Sequence, residues 1–428
     1  MTPSTHGLVS RAAWEASATA PEIRQAPARF PLSALASFLA GALTSFTVSL
    51  GGEMPLGEII LALTAGWAVL CVIFNQCWPG PLCRSRLLWT WLAAQLVALC
   101  SYVFSDLYRH SFPRDMARGW SRMIFLAVDI FAVAYLFGRS RRNFLWFLSG
   151  QCAGDVASAV ILGPLFGDLW KFGIGAPLTV LLFWLAPAAG RFAMVVAAGA
   201  AGVLHFALDY RSFGGLCLLA GMLILLHMVP RRSRLWLVPL GTAAVAVAVF
   251  WTYGHTRSRN EERTTRSDVE RSAMATAAIE AIESSPLIGH GSWFSNSHVY
   301  DNFELIRRET AREAHVGGFP DSSEDPGTTA LHSQILVALA EGGLFGGAFF
   351  LVFGASLLRA LYQTVFVRRW HRLAPLCILL LLSALWNLFF SPFSGAHRVY
   401  IAMACGLMLL LHEDRLAANR EEAADGPA

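Results

Sequence analysis

Apolar runs of nearly bilayer length recur from Leu32 to Leu411. Each approaches the ~20 residues that a helix needs to cross a hydrocarbon core. Lipid offers no partner for a bare peptide group, so such runs fold as helices that satisfy their own backbone. Charged residues make up 14% of the 428-residue chain and hydrophobic ones 55%, against roughly 25% charged in an average soluble domain. The pattern predicts an all-α polytopic membrane protein with about twelve transmembrane helices. The expected spans are Leu32–Leu50, Leu56–Phe74, Leu87–Phe104, Gly119–Phe137, Asn143–Phe166, Ile174–Ala189, Arg191–Leu208, Ser212–Val229, Arg234–Tyr253, His332–Leu358, Leu373–Phe390 and Gly395–Leu411. The sixth and seventh are short and are parted by little more than Gly190. Residues 1–31 read as a disordered cytoplasmic tail, 254–331 as an external segment, and 412–428 as a second cytoplasmic tail. The tail at 1–31 lacks the compact apolar core of a cleaved leader, so the first run is expected to stay as a span.

Charge placement sets the orientation. With the amino terminus inside, the inner short loops hold Arg84, Arg86, Arg139, Arg141, Arg142, Arg191, Arg231, Arg232, Arg359, Arg368, Arg369 and Arg372. The outer short loops hold about half as many basic residues, the direction expected of the positive-inside rule. Those outer cations are Arg109, Arg114, Arg118, Lys171, Arg211 and Arg398. Segment 254–331 then faces outward, the periplasm of a Gram-negative cell. Lys171 is the sole lysine, and arginine is the better phosphate ligand because its planar fork makes two parallel bonds. The eight cysteines lie in apolar runs or the loop after the second, with no zinc spacing, and read as small core residues.

The external segment carries one clear helical pattern, "SDVERSAMATAAIEAIESSP". Ser267 and Glu270 stand at capping-box spacing. Met274, Ala277, Ala278, Ala281 and Ile282 recur at helical spacing to form one apolar face, and Pro286 follows the end.

The stretch Thr328–Gly347, "TTALHSQILVALAEGGLFGG", places two polar residues in one apolar run. Thr328 and Thr329 are possible caps, which sets His332 in the first turn of the tenth span. The positive end of the helix dipole disfavours imidazolium there and favours a bound anion. A neutral imidazole at that place can act as a base. Glu341 follows nine residues later, half a turn round the helix. It faces away from His332 and needs a partner at that depth, so it reads as an interhelical hydrogen-bonding residue. Gly343 and Gly346 lie near the His332 face, and the glycine pairs 342/346 and 343/347 fit a close helix approach. Arg211, Arg271 and Arg398 each start a helix on the outer side, and a polyanion at that surface would suit them. The sequence shows no P-loop, no acidic pair for a metal at a span end, and no nucleophile elbow.

These residues resemble the O-antigen ligase and polymerase family. "HSQILVALAEGGLFGG" is similar to the family's pattern of His, Asn or Ser, then Glu-x-Gly-Leu/Ile-x-Gly. "RSAMATAAIEAIESSPLIGHGS" resembles the block before it: an Arg, an amphipathic helix, then Pro286, Leu287, Gly289 and Gly291. "YRSFGG" resembles an arginine block at the outer start of a span. Ser333 stands where many members have Asn, and Met274 or Ala275 where a Trp is common. The resemblance implies a GT-C type membrane glycosyltransferase of the bacterial inner membrane, inverting and independent of metal or other cofactor. Its partners would be an undecaprenyl-pyrophosphate-linked glycan donor, a glycan or lipid A–core acceptor and membrane lipids, with no nucleic acid. Position matches His332 to the base and Arg211 and Arg271 to the pyrophosphate ligands, with Arg398 as a further candidate and Glu341, Gly343 and Gly346 as structural residues. Polymerisation of exopolysaccharide-type repeat units is the first expectation and ligation to lipid A–core the alternative. A flippase for lipid-linked sugars is the alternative from another class, but no internal repeat supports it.

Overall fold

A computed structural model describes residues 31–49, 53–74, 80–163, 168–230, 261–294, 332–367 and 371–424, with isolated residues between 233 and 243 and between 305 and 312. The tail at 1–30, the ninth expected span and most of 295–331 lie outside the described residues, as do the caps Thr328 and Thr329.

The described chain is helical apart from one short hairpin. Helices α1 (Leu32–Ala42), α2 (Leu56–Ile73), α3 (Arg86–Arg109), α4 (Pro113–Arg139), α5 (Arg142–Ile161), α6 (Gly175–Leu185), α7 (Arg191–Ala207) and α8 (Arg211–Met228) come first. The external helix α9 (Glu261–Ser284) follows, then α10 (Gln334–Gly346), α11 (Ala348–Tyr362), α12 (Ala374–Phe390) and α13 (Gly395–Ala424). Strands β1 (Thr47–Ser49) and β2 (Glu53–Pro55) pair antiparallel between α1 and α2. Eight helical segments among the described residues are long and apolar enough to cross a membrane. The chain is an all-α polytopic membrane protein.

Local chemistry sets the boundaries. Pro113 opens α4 at a position where its missing N–H costs nothing. Gly190, at φ 109°, parts α6 from α7. The helices α4 and α13 are the most enclosed and pack on each other at the centre, while α2 and α3 turn broad apolar faces outward. Glycine lets α1 lie directly on α5: a Cβ on Gly150 would stand 2.0 Å from the Phe38 carbonyl oxygen. No side chain fits between backbones that close.

Three expectations are corrected. The tenth run is not one span: it breaks at Gly343 into α10 and α11. The external helix reaches back at least to Glu261, so Ser267 and Glu270 stand within it and not at its start. Finally, α13 runs on to Ala424, through most of the expected tail. Arg141 pairs with Asp414 on that extension.

Candidate functional site

The site is built around α10. Ser333 is its N-cap, extended at φ −153° and ψ 119°, and its Oγ accepts the Leu336 N–H at 3.4 Å. His332 is therefore the residue just before the cap, and it is exposed. The break at the other end rests on Gly343, at φ 65° and ψ −163°, a conformation nearly closed to residues with a Cβ.

Residues 285–293 dock against that break. The His290 N–H donates to the Ala340 carbonyl and the Gly291 N–H to the Glu341 carbonyl, both at 2.9 Å, and the Leu344 N–H donates to the Pro286 carbonyl at 2.8 Å. The last turn of α10 thus finds partners outside its own helix. Gly289 and Gly291 take positive φ, 78° and 84°, so the segment can turn twice at van der Waals range. A Cβ on Gly343 would stand 2.3 Å from the Leu287 carbonyl oxygen, and one on Gly289 2.4 Å from that of Glu341. The close approach at Gly343 is therefore between helix and docking segment rather than between two helices. Gly342 does meet a helix, at the Tyr102 ring of α3, and Gly346 lies over the same ring.

Helix α3 holds the segment from beneath. Arg109 donates through Nε to the Gly289 carbonyl at 3.1 Å and through Nη2 to Ser285 Oγ at 2.7 Å. Ser105 donates to the Ile288 carbonyl, and Ser101 donates to the Gly342 carbonyl at 2.6 Å. His290 bonds the Ala281 carbonyl through Nε2 at 2.9 Å. Burial, and next the Arg109 charge, hold its pKa below the ordinary 6.5.

Two buried carboxylates then grip consecutive residues. Asp106 accepts the Ser292 N–H at 2.6 Å, the Ser292 hydroxyl at 2.7 Å and the Trp120 indole N–H at 2.8 Å. Glu341 accepts the Trp293 N–H and the Tyr102 hydroxyl, each at 2.9 Å, and pairs with Arg122 of α4. Arg122 lies between aromatic faces, 4.8 Å from the Trp293 ring centre and 5.6 Å from that of Phe393. Glu341 thereby joins α3, α4, α10 and the docking segment.

The other expected site residues fall in three places. Helix α9 packs on α10 through Met274 and Ala278 against Leu336 and Val337. Arg271 lies two turns before Ala278 and within about 20° of it round the helix, so it lies on the edge that meets α10. Arg211 opens α8, and its Nε donates to Asp209 at 2.9 Å. Just beneath, His205 accepts the Trp170 indole N–H at 3.0 Å on Nδ1 and meets the Thr179 hydroxyl at 2.7 Å on Nε2. Tyr210 and Phe213 pack edge-on against its ring. Arg398 is different: its Nε and Nη2 donate to the two oxygens of Glu58 at 2.7 Å, and both residues are buried. A guanidinium matched by a buried carboxylate has little net charge left for a pyrophosphate. The pair ties α13 to α2.

The sequence expectations passed over Arg122, Asp106, Glu58 and Asp129. All are ionisable residues within or at the edge of apolar spans, a signal by itself. Trp293 and Tyr102 gave no such signal, since aromatics are ordinary in spans and at their ends.

Fold and site together define a multi-pass membrane protein whose buried ion pairs hold a polar helix start beside an amphipathic external helix. A family model described as O-antigen ligase matches residues 177–351. That stretch runs from α6 into α11 and includes Arg211, Arg271, His332 and Glu341. The match supports an O-antigen ligase and polymerase family assignment, and with it a membrane glycosyltransferase with a lipid-linked glycan donor and a glycan acceptor. No curated protein matches the chain.

Proposed function

We propose that the protein transfers a glycan from undecaprenyl pyrophosphate to an acceptor sugar hydroxyl at the periplasmic face of the inner membrane, with inversion and without a metal. The observation that carries the proposal is the packing of α9 on α10. Helix periodicity puts Arg271 on the side of α9 that carries Ala278, which packs on Val337 of α10, and His332 stands before the α10 cap. On this reading a base and a phosphate-binding fork serve one helix N-terminus, itself favourable to anions.

The acceptor oxygen attacks the anomeric carbon from the face opposite the leaving group. His332 takes the hydroxyl proton as the new bond forms. The bond from carbon to pyrophosphate breaks, and the polyprenyl pyrophosphate leaves with the electron pair. Arg271 and Arg211 stabilise the charge that grows there. Arg398 is left out of this clamp because Glu58 holds it. The fold is of the GT-C type on this proposal.

Extension of polysaccharide repeats is the first reading of the acceptor, since the segment from 254 to 331 offers modest external surface. Transfer to lipid A–core is the second, and the O-antigen ligase description of the matching family favours it. The test uses purified protein with undecaprenyl-pyrophosphate-linked glycan and EDTA. Expected is transfer that His332→Ala abolishes and that Arg211→Ala or Arg271→Ala lowers about a hundredfold. Full transfer by His332→Ala would remove the base assignment, and loss of transfer in EDTA would remove metal independence. A polymer ladder or a lipid A–core product distinguishes the two acceptors.

A further inference from the structure

Gln334 begins α10 two residues after His332, and it is 1% exposed. Both ends of its amide, Oε1 and Nε2, are buried with no hydrogen-bond partner among the described residues. Gln95, Asn143 and Gln151 leave one amide end each unmatched, but Gln95 donates to the Met123 carbonyl at 2.9 Å and Asn143 to the Leu136 carbonyl at 2.6 Å. A primary amide brings two donors and an acceptor, and burying all of them unmatched is costly. A leucine there would fill similar space at no such cost.

Position gives that cost a use. Gln334 precedes Glu341 by seven residues, so the two stand within about 20° on one face of α10, roughly 10 Å apart along its axis. Trp293 and Arg122 lie on that face, each bonded to the Glu341 carboxylate. They too carry unmatched buried donors, the Trp293 indole N–H and the Arg122 Nε. Trp293 adopts φ 61° and ψ 18°, a left-handed conformation costly for a bulky residue. The bonds of Asp106 and Glu341 to Ser292 and Trp293 hold it there. An amide, an indole and a guanidinium on one face, with donors to spare and aromatic surface between, suit a sugar ring: hydroxyls for the polar atoms and C–H faces for the rings.

We propose that Gln334 is a substrate-binding residue that holds a hydroxyl of the acceptor sugar. The inference rests on the glycosyl-transfer reading and adds the group that orients the acceptor. It is a specificity element: a site built to bond a hydroxyl discriminates against substrates that lack it far more strongly than an apolar pocket does.

The experiment compares wild type, Gln334→Leu and His332→Ala in detergent, with the undecaprenyl-pyrophosphate-linked repeat unit as probe. Thermal unfolding is read with and without the probe, and transfer kinetics are read in parallel. Expected for Gln334→Leu is a Tm without probe equal to or above wild type, because an unmatched buried amide is gone. Its probe-induced Tm shift should shrink, and KM for the acceptor should rise about tenfold or more while kcat changes less. A lower Tm without probe would mean the amide is already bonded in the folded protein and would overturn the proposal. So would a wild-type KM and Tm shift in Gln334→Leu. If wild type itself neither transfers nor is stabilised by the probe, the glycosyl-transfer reading fails instead, and His332→Ala should then match wild type in every respect.

Discussion

Glu341 is accommodated in an apolar helix because Arg122 pairs with it across the interface and Tyr102 and Trp293 donate to its carboxylate. Such a pair adds little over an apolar one, but halving it is expensive, since a charge is then buried alone. Glu341→Gln should therefore lower stability by about 3–5 kcal/mol, read by denaturant unfolding in detergent. Adding Arg122→Met should recover most of that loss. Additive losses would show that the pairing is not what holds these residues. Helix periodicity separates Glu341 from His332 in the sequence, because nine residues make half a turn. The identity of its partner was not legible, since Arg122 lies 219 positions away and no local spacing encodes that contact. The charge of Arg122 within the span Gly119–Phe137 was the available sign that some partner existed.

The docking segment and the break in α10 form one unit at the scale of elements. Gly343→Ala should cost more than about 3 kcal/mol, since it adds a Cβ in a glycine-only conformation against the Leu287 carbonyl. Gly66→Ala in α2, where a new Cβ meets nothing within 4 Å, is the control and should be neutral or mildly stabilising. The unit should also respond to acid. The pKa of His290 is lowered in the folded protein by burial and by Arg109, so below the ordinary value the unfolded or undocked chain binds the proton more tightly. Stability from this group is present above pH 6.5 and is lost as pH falls toward the folded pKa. The slope is at most about 1.4 kcal/mol per pH unit. Hydrogen exchange at the Gly291 amide should therefore lose protection on acidification, and His290→Gln should flatten that dependence. Pro286 marked the end of the helix before it, and the resemblance grouped it with Leu287, Gly289 and Gly291. Their seat on the break of α10 was not legible, because a glycine run in an apolar stretch serves a helix interface and a helix break equally well.

For the whole molecule, apolar length located most helices, because a lipid-facing backbone has few other ways to satisfy itself. It did not show which helices are central. The two most enclosed, α4 and α13, differ from the rest in what they bury, and part of that is ionic: Arg398 of α13 clamps Glu58 at the start of α2, and the Arg398 guanidinium lies 6.0 Å from the Phe125 ring of α4. From sequence alone an arginine at the outer start of a span reads equally as a phosphate ligand and as half of a buried pair. A double replacement separates the two. Arg398→Met alone strands Glu58 and should cost about 3–5 kcal/mol. Pairing it with Glu58→Leu removes both charges and should restore most of the folding stability. If Arg398 serves only to join α2 and α13, the double variant keeps its KM for the lipid-linked donor within about threefold of wild type, while Arg211→Ala does not. A rise of about tenfold in the double variant, with stability recovered, would return Arg398 to the pyrophosphate site.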